Sequence, residues 1–272
     1  MFVPDDCDSS LALSRTTHLG VGAHPDDLEI LAIAGIVECF MRDDRWFTGV
    51  VVTDGAGSPR HGRYRGHTDE RMRRVRQLEQ QKAATVGGYS AQVMLAHSSP
   101  TLKRDARVVI EDLKAVLEAT SPEVVFTHSL TDKHDSHVAV ALRVIKACRE
   151  ASSDARPRRL FGCEVWRDLD WLVDEDRLET SLSGHEHLEQ ALIGVFDSQI
   201  VGGKRYDSAV MGRRRAHATF SRAKSRDAGT SSTYAMDLTP LLTDPSLDPA
   251  AFSQHLIQRF QADVVTRIQR LG

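Results

Sequence analysis

The sequence predicts an α/β fold. Strand-like and helix-like segments alternate over the first 150 residues, residues 47–53 (FTGVVVT) form an unbroken β-branched run, and turn chemistry falls at the strand ends. An unbroken run of this kind marks a strand covered on both faces, and alternation at these spacings marks βαβ units. The expected architecture is Rossmann-like: a mostly parallel sheet with helices on both faces. It forms a single domain over 1–272, with a core over about 17–200 and a less regular C-terminal third over about 201–272 that ends in a helix.

The elements follow in order. Residues 17–22 (THLGVG) read as a short strand ending in a turn. Residues 28–41 (LEILAIAGIVECFM) are apolar around most of a helical circumference, which predicts a buried helix. After the strand at 47–53 comes turn chemistry at 54–57, then a loop over 58–70 with Gly, Pro, His and Arg and no period. A charged amphipathic helix over 70–87 is closed by Gly87-Gly88. Residues 91–96 (AQVMLA) make a third strand, and 104–119 a helix with Val108, Leu113, Val116 and Leu117 on its apolar side. Pro122 breaks the chain before a fourth strand at 123–127 (EVVFT), and 137–150 (HVAVALRVIKACRE) are a helix. Beyond 151 the pattern loosens to a strand at 160–166 and a capping box, Ser183-Gly-His-Glu186, opening a helix to about 195. A loop is expected over 221–249. Over 250–271, Phe252, Leu256, Phe260, Val264 and Ile268 stand four apart with Ile257 and Val265 beside them, an amphipathic helix docked on the body or on a subunit.

The composition narrows the function classes. Lys and Arg total 35 against 38 Asp and Glu, a formal charge of −3 that disfavours a nucleic-acid binder even with basic runs near 60–76 and 212–226. No apolar stretch approaches the roughly 18 residues of a membrane span, and the acidic N-terminus carries no signal-peptide pattern, so a soluble cytoplasmic protein is expected. Cys7, Cys39, Cys148 and Cys163 form no C-x-x-C pair, which argues against a thiolate zinc site; Cys39 and Cys148 read as buried small hydrophobes.

Two histidine–aspartate clusters carry the chemistry. His24-Pro25-Asp26-Asp27 follows the first strand directly, where open parallel sheets bind ligands. A His and an Asp three apart in a turn can face one cation, although Pro and Asp are also ordinary turn residues. Gly20 and Gly22 begin a dinucleotide fingerprint, but Pro25 replaces its third glycine and two aspartates would repel a pyrophosphate. The second cluster, Asp132, His134, Asp135 and His137, follows the fourth strand and opens a helix, with His128 ending that strand. Taken alone it reads as a polar loop. Two such clusters at strand ends of one parallel sheet suit a borderline divalent ion, zinc first, with three protein ligands leaving a position open for water.

The tetrad in its context VGAHPDDLEI, followed by a histidine motif after a later strand, resembles the LmbE-like/PIG-L family of zinc-dependent N-acetylglucosamine deacetylases, over roughly residues 17–150. Thr53-Asp54-Gly55 and the pattern running from Arg76 through Glu79, Ala83 and Ala84 to Gly87 also look like family features. The resemblance implies metal ligands at His24, Asp27 and His137, a general base at Asp26, and at His134 a group that polarises the carbonyl or acts as general acid. It implies hydrolysis of an N-acetylated amino sugar by a zinc-bound water. Alternatives are an amidase acting on a sugar–thiol conjugate and a metal-binding protein of this type without deacetylase activity. Another divalent metal in place of zinc and a homo-oligomer stay open. The family's second motif ends H-x-D-H; here Ser136 stands where Asp is common.

Other residues have two readings. Within Arg71–Arg76 the basic run reads as a solvated helix face, with Arg76 as a candidate to hold a sugar hydroxyl or an anionic aglycone. The segments 58–67 and 202–206 are candidate substrate loops, Arg213-Arg214-Arg215 reads as surface, and His185 and His187 read as exposed. Trp166 and Trp171 serve a sugar face or the core.

Overall fold

A computed structural model describes residues 1–272 apart from Asp105, residues 223–225 and Ala228. Among the described residues a seven-stranded sheet is formed by β1 (His18–Gly22), β2 (Phe47–Thr53), β3 (Ala91–His97), β4 (Val124–His128), β5 (Arg159–Cys163), β6 (Arg177–Ser181) and β7 (Ser232–Asp237). Their spatial order is β3-β2-β1-β4-β5-β7-β6. The first five strands are parallel, and β7 pairs antiparallel with both β5 and β6.

The helices are α1 (Ser9–Ser14), α2 (Leu28–Leu31), α3 (Ile33–Cys39), α4 (Asp69–Val86), α5 (Ser99–Arg104), α6 (Ala106–Thr120), α7 (Asp135–Glu150), α8 (Glu186–Gly194), α9 (Asp197–Ile200), α10 (Tyr206–Phe220), α11 (Pro240–Thr243) and α12 (Pro249–Leu271). The expected helix over 28–41 is two short ones, because Ala32 leaves the helical region at φ −105 and ψ 14. Part of the segment expected as loop over 221–249 is β7 and α11, while its residues 223–225 and Ala228 lie outside the described residues. The helix expected from 104 starts at Ala106, with Asp105 also outside them. The expected capping box does not form. His185 is the N-cap of α8, the Ser183 hydroxyl accepts from the Thr230 amide at 2.9 Å, and Glu186 accepts from the Gly184 amide at 3.0 Å.

The core lies on both faces of the parallel strands. On one face Leu19, Val21, Val50, Val52 and Val125 meet α6 and α7 through Leu113, Leu117, Val140 and Val144. On the other, Ile33 and Ile36 of α3 pack with Phe47, Tyr89 and Phe126. Gly35 lets α3 sit this close, since a Cβ there would fall 2.5 Å from the Phe126 ring. Gly35→Val is therefore expected to destabilise the fold by about 1–3 kcal/mol through overpacking, read as a lower denaturation midpoint at unchanged slope.

Candidate active site

Both clusters converge where the strand order reverses. Chain progression runs from β1 outward to β2 and β3 on one side and to β4 and β5 on the other, so the β1–β4 seam is a switch point that leaves a crevice at the strand ends. Hydrogen bonds fix that seam. The Thr127 hydroxyl donates to the Val21 carbonyl at 3.2 Å, and the Ala23 carbonyl accepts from the Thr53 amide at 2.9 Å and its hydroxyl at 2.7 Å. The Ala23 amide in turn donates to His128 Nε2 at 2.9 Å. Ala23 is held on both sides, so the next four residues turn out of the sheet.

Within that turn Asp27 is the hub. Its Oδ2 accepts the His24 amide at 2.6 Å and lies 3.2 Å from His24 Nδ1, 3.4 Å from His128 Nε2 and 3.5 Å from His137 Nε2. His24 Nδ1 and His137 Nε2 are 3.3 Å apart. Burial alone would raise the Asp27 carboxyl, but His137, His128 and His24 hold it well below the usual carboxylate range. Burial lowers His137, favouring its neutral form. A carboxylate oxygen facing imidazole nitrogens at these distances is a donor set for a divalent cation. His24, Asp27 and His137 fit that role. His128 does not, because its Nε2 lone pair is taken by the Ala23 amide.

A second group of possible donors, His128, Asp132 and His137, shares His137. Asp132 is engaged elsewhere: Oδ1 accepts the His134 amide at 2.9 Å and Oδ2 the Trp166 amide at 3.0 Å. Its Oδ1 also lies 3.5 Å from His137 Nδ1. Against the opposing effect of burial, His137 and the His134 amide bring the Asp132 carboxyl down to about 2. An anionic partner behind the ring keeps the proton on Nδ1 and leaves Nε2 free to coordinate. Ser136 itself is buried on the first turn of α7, and Asp135 beside it is exposed.

His134 caps α7, and its Nδ1 accepts the Ser136 amide at 3.3 Å. An accepting Nδ1 places the ring proton on Nε2. Burial, with His137 and His24 adding to it, lowers the group, so the neutral ring with one N–H is the favoured form. The ring stands edge-on to His24 at 5.0 Å between centroids and stacks toward Trp166 at 6.3 Å.

Asp26 occupies a strained position, with φ +92 in a non-glycine residue. Gln80 Oε1 accepts its amide at 3.1 Å, and Gln80 Nε2 donates to buried Glu29 at 2.8 Å. Arg76 donates to the Pro25 carbonyl and, at 3.0 Å, to Asp26 Oδ1. Burial pushes the Asp26 carboxyl up to about 6, with Arg76 opposing and Asp27 adding. Arg76 is only 1% exposed and also faces Glu79 at 3.8 Å and Ser198 at 3.4 Å. The rest of its basic run is mainly solvent-facing, with Arg71, Arg73 and Arg74 exposed.

These groups line a cavity of about 350 Å³ whose walls include Ser58, Lys103, Ser136, Trp166, Lys204 and Tyr206. Both candidate substrate loops therefore contribute to it. Lys204 Nζ sits 4.5 Å above the Trp166 ring, and Tyr206 meets that ring edge-on at 6.0 Å. Trp171 packs elsewhere, against Phe260. Arg214 departs from the surface reading, being buried against Glu189 at 3.0 Å, and His185 is half-buried while His187 is exposed.

The sequence profile of the PIG-L family, described as GlcNAc-PI de-N-acetylase, matches residues 19–148. No curated protein sequence matches the chain. Among solved structures, N,N'-diacetylchitobiose deacetylase from Pyrococcus horikoshii has a TM-score of 0.65 at 15% identity, covering 84% of this chain and 86% of that one. The 4-carboxy-2-hydroxymuconate hydratase GalB from Pseudomonas putida KT2440 has a TM-score of 0.60 at 17% identity, covering 82% and 96%. A zinc-inhibited form of teicoplanin deacetylase Orf2 has a TM-score of 0.58 at 16% identity, covering 82% and 98%. At these identities the likeness is one of fold, and a deacetylase and a hydratase share it. Both histidine–aspartate motifs lie inside the span, residues 19–148, that resembles the PIG-L family profile.

Proposed function

We propose that this chain is a zinc-dependent N-deacetylase acting on an N-acetylated amino sugar of the N-acetylglucosamine type. The supporting observation is the convergence of His24 Nδ1, Asp27 Oδ2 and His137 Nε2 within 3.2–3.5 Å of one another, beside a second, half-buried carboxylate, Asp26, on the cavity wall. When bound by these three residues, zinc supplies Lewis acidity and an acidified water.

The chain's own groups do the rest. Asp26 takes the proton of the attacking water and delivers it to the departing nitrogen, a task suited to a carboxyl raised toward neutrality. The Arg76 guanidinium holds that carboxylate in place and acts through it, so substrate contacts pass to Lys204, Trp166 and Tyr206 on the cavity wall. His134, with its proton on Nε2, donates to the oxygen on which negative charge develops. Asp132 orients His137.

The test pairs metal content with hydrolysis of a panel of N-acetyl amino sugars, including sugar–thiol conjugates. Asp26→Ala is expected to keep zinc within about threefold while kcat falls by roughly 10³ or more, in the range lost with a general base. Full activity in Asp26→Ala would overturn the reading. Zinc binding without hydrolysis of any substrate would leave the metal-binding alternative, to which Ser136 points.

The pH profile follows from the same groups. Asp26 acts as a base only when ionised, so kcat/KM is expected to fall about tenfold per pH unit on the acid limb. A neighbouring dication favours the carboxylate, which places that limb at or below pH 6. A rate independent of pH from 4 to 8 would remove Asp26 from this role.

A further inference from the structure

The C-terminal helix is docked by one end only. Leu256 of α12 is buried, and Phe252 packs partly against the core. From Ile257 onward the apolar residues are uncovered, from 37% exposed at Val264 to 77% at Leu271. A stripe of this kind on a regular helix marks an interaction surface.

Its spacing identifies the partner. Ile257, Phe260, Val264, Ile268 and Leu271 stand at intervals of three, four, four and three, so the stripe reads the same in both directions about Val264. An antiparallel copy sets Ile257 against Leu271 of the second copy, Phe260 against Ile268, and Val264 against its equivalent. The same register places Arg259, Arg267 and Arg270 opposite Gln269, Gln261 and Gln258, so no arginine meets another. A parallel pairing would set Arg267 beside Arg267.

The body next to the helix has the matching charge. Arg259 pairs with Asp176 at 2.5 Å and Phe260 meets Trp171 at 6.3 Å, which fixes the 170–176 loop beside that turn of the helix. The loop exposes Asp170, Asp174 and Glu175; Arg177 pairs with Asp174 and lies near Asp170, and the helix's own Arg259 and Arg267 line the same cavity. A cavity of about 570 Å³ opens between this loop, Phe220 and the helix. In the antiparallel register Arg267 and Arg270 of the second copy arrive at this acidic rim.

We propose that α12 pairs antiparallel with α12 of a second copy of this chain, about a twofold axis at Val264, with the arginine-bearing tip of each helix seated against the acidic 170–176 loop of the other. The contact is isologous and closes as a dimer. Sedimentation of the full chain at tens of micromolar is expected to give the dimer mass. Val264→Glu, at an exposed position, is expected to give a monomer with an unchanged melting curve. Arg267→Glu with Arg270→Glu is expected to weaken association at least tenfold, and adding Asp170→Lys and Glu175→Lys to restore it. A monomeric parent overturns the proposal, as does a Val264→Glu variant of parental mass or a charge swap without rescue. Val264-dependent binding of a monomer to anionic vesicles also overturns it, in favour of a membrane-surface role.

Discussion

Asp27→Asn is expected to abolish both metal binding and hydrolysis while leaving the protein folded. The carboxylate oxygen meets three imidazoles within 3.5 Å, and their charge-stabilising effect on Asp27 is the mirror of its effect on a cation. Removing the charge removes the one anionic donor among the three proposed ligands. Outer partners of a metal ligand are worth about 10–100-fold in affinity, so the loss of the ligand itself is expected to exceed about 100-fold. Activity should fall with it by roughly three orders of magnitude or more. Titration of the apo variant with zinc, followed calorimetrically, checks the first half, and deacetylation at saturating metal checks the second. The amide at 27 can still accept from the His24 backbone amide, so the circular dichroism spectrum should not change. An Asn variant with parental zinc affinity would show that the cation sits elsewhere.

The second large effect is on stability. Arg214 lies inside the protein, donating to Glu189 Oε2 at 3.0 Å and to the Glu29 carbonyl at 2.8 Å, and Ser231 is the other partner of that same Glu189 oxygen. Arg214→Ala would leave a buried carboxylate without its countercharge, which typically costs about 3–5 kcal/mol. In a chain of this length that corresponds to a fall in Tm of roughly 10 °C. Arg214→Met with Glu189→Met removes both charges together and should recover most of the loss. Denaturant titration of the parent and these two variants decides it. A single variant within about 1 kcal/mol of the parent would mean that water reaches Glu189.

The same arginine explains what could be read in the sequence and what could not. The central parallel strands are short runs covered on both faces, and their apolar continuity is written in the residues: FTGVVVT is buried at every position of β2. The strand Ser232–Asp237 and the helix Tyr206–Phe220 lack that signature. The first buries Ser232 and Thr233, and the second turns Val210, Met211, Arg214, His217 and Ala218 inward. Two of those five are polar groups whose partners, Glu189 and Glu164, are far away in sequence. No periodicity of hydrophobic residues could show that face. The edge strand Arg177–Ser181 is hidden for the opposite reason, since it is largely open to solvent.

The candidate site divides along the same line. His24, Asp26, Asp27, His134 and His137 stand out because histidines and carboxylates recur at short spacing after strands, and the fold brings all five to one cavity or its floor. Arg76, read from sequence as a contact for substrate, lines the same cavity with its guanidinium on the Pro25 carbonyl and Asp26. The service of Asp132 to His137 and the support of Gln80 beneath Asp26 depend on side-chain direction, which spacing does not encode.

The backbone amide of Ala23 has a further consequence through its hold on His128. By occupying that imidazole's lone pair it keeps a fourth nitrogen out of the group formed by His24, Asp27 and His137. The turn that carries His24 and Asp27 is anchored at Ala23 by protein hydrogen bonds alone, from Thr53 and to His128, so a cation bound under the proposed reading would load and leave on an already folded protein.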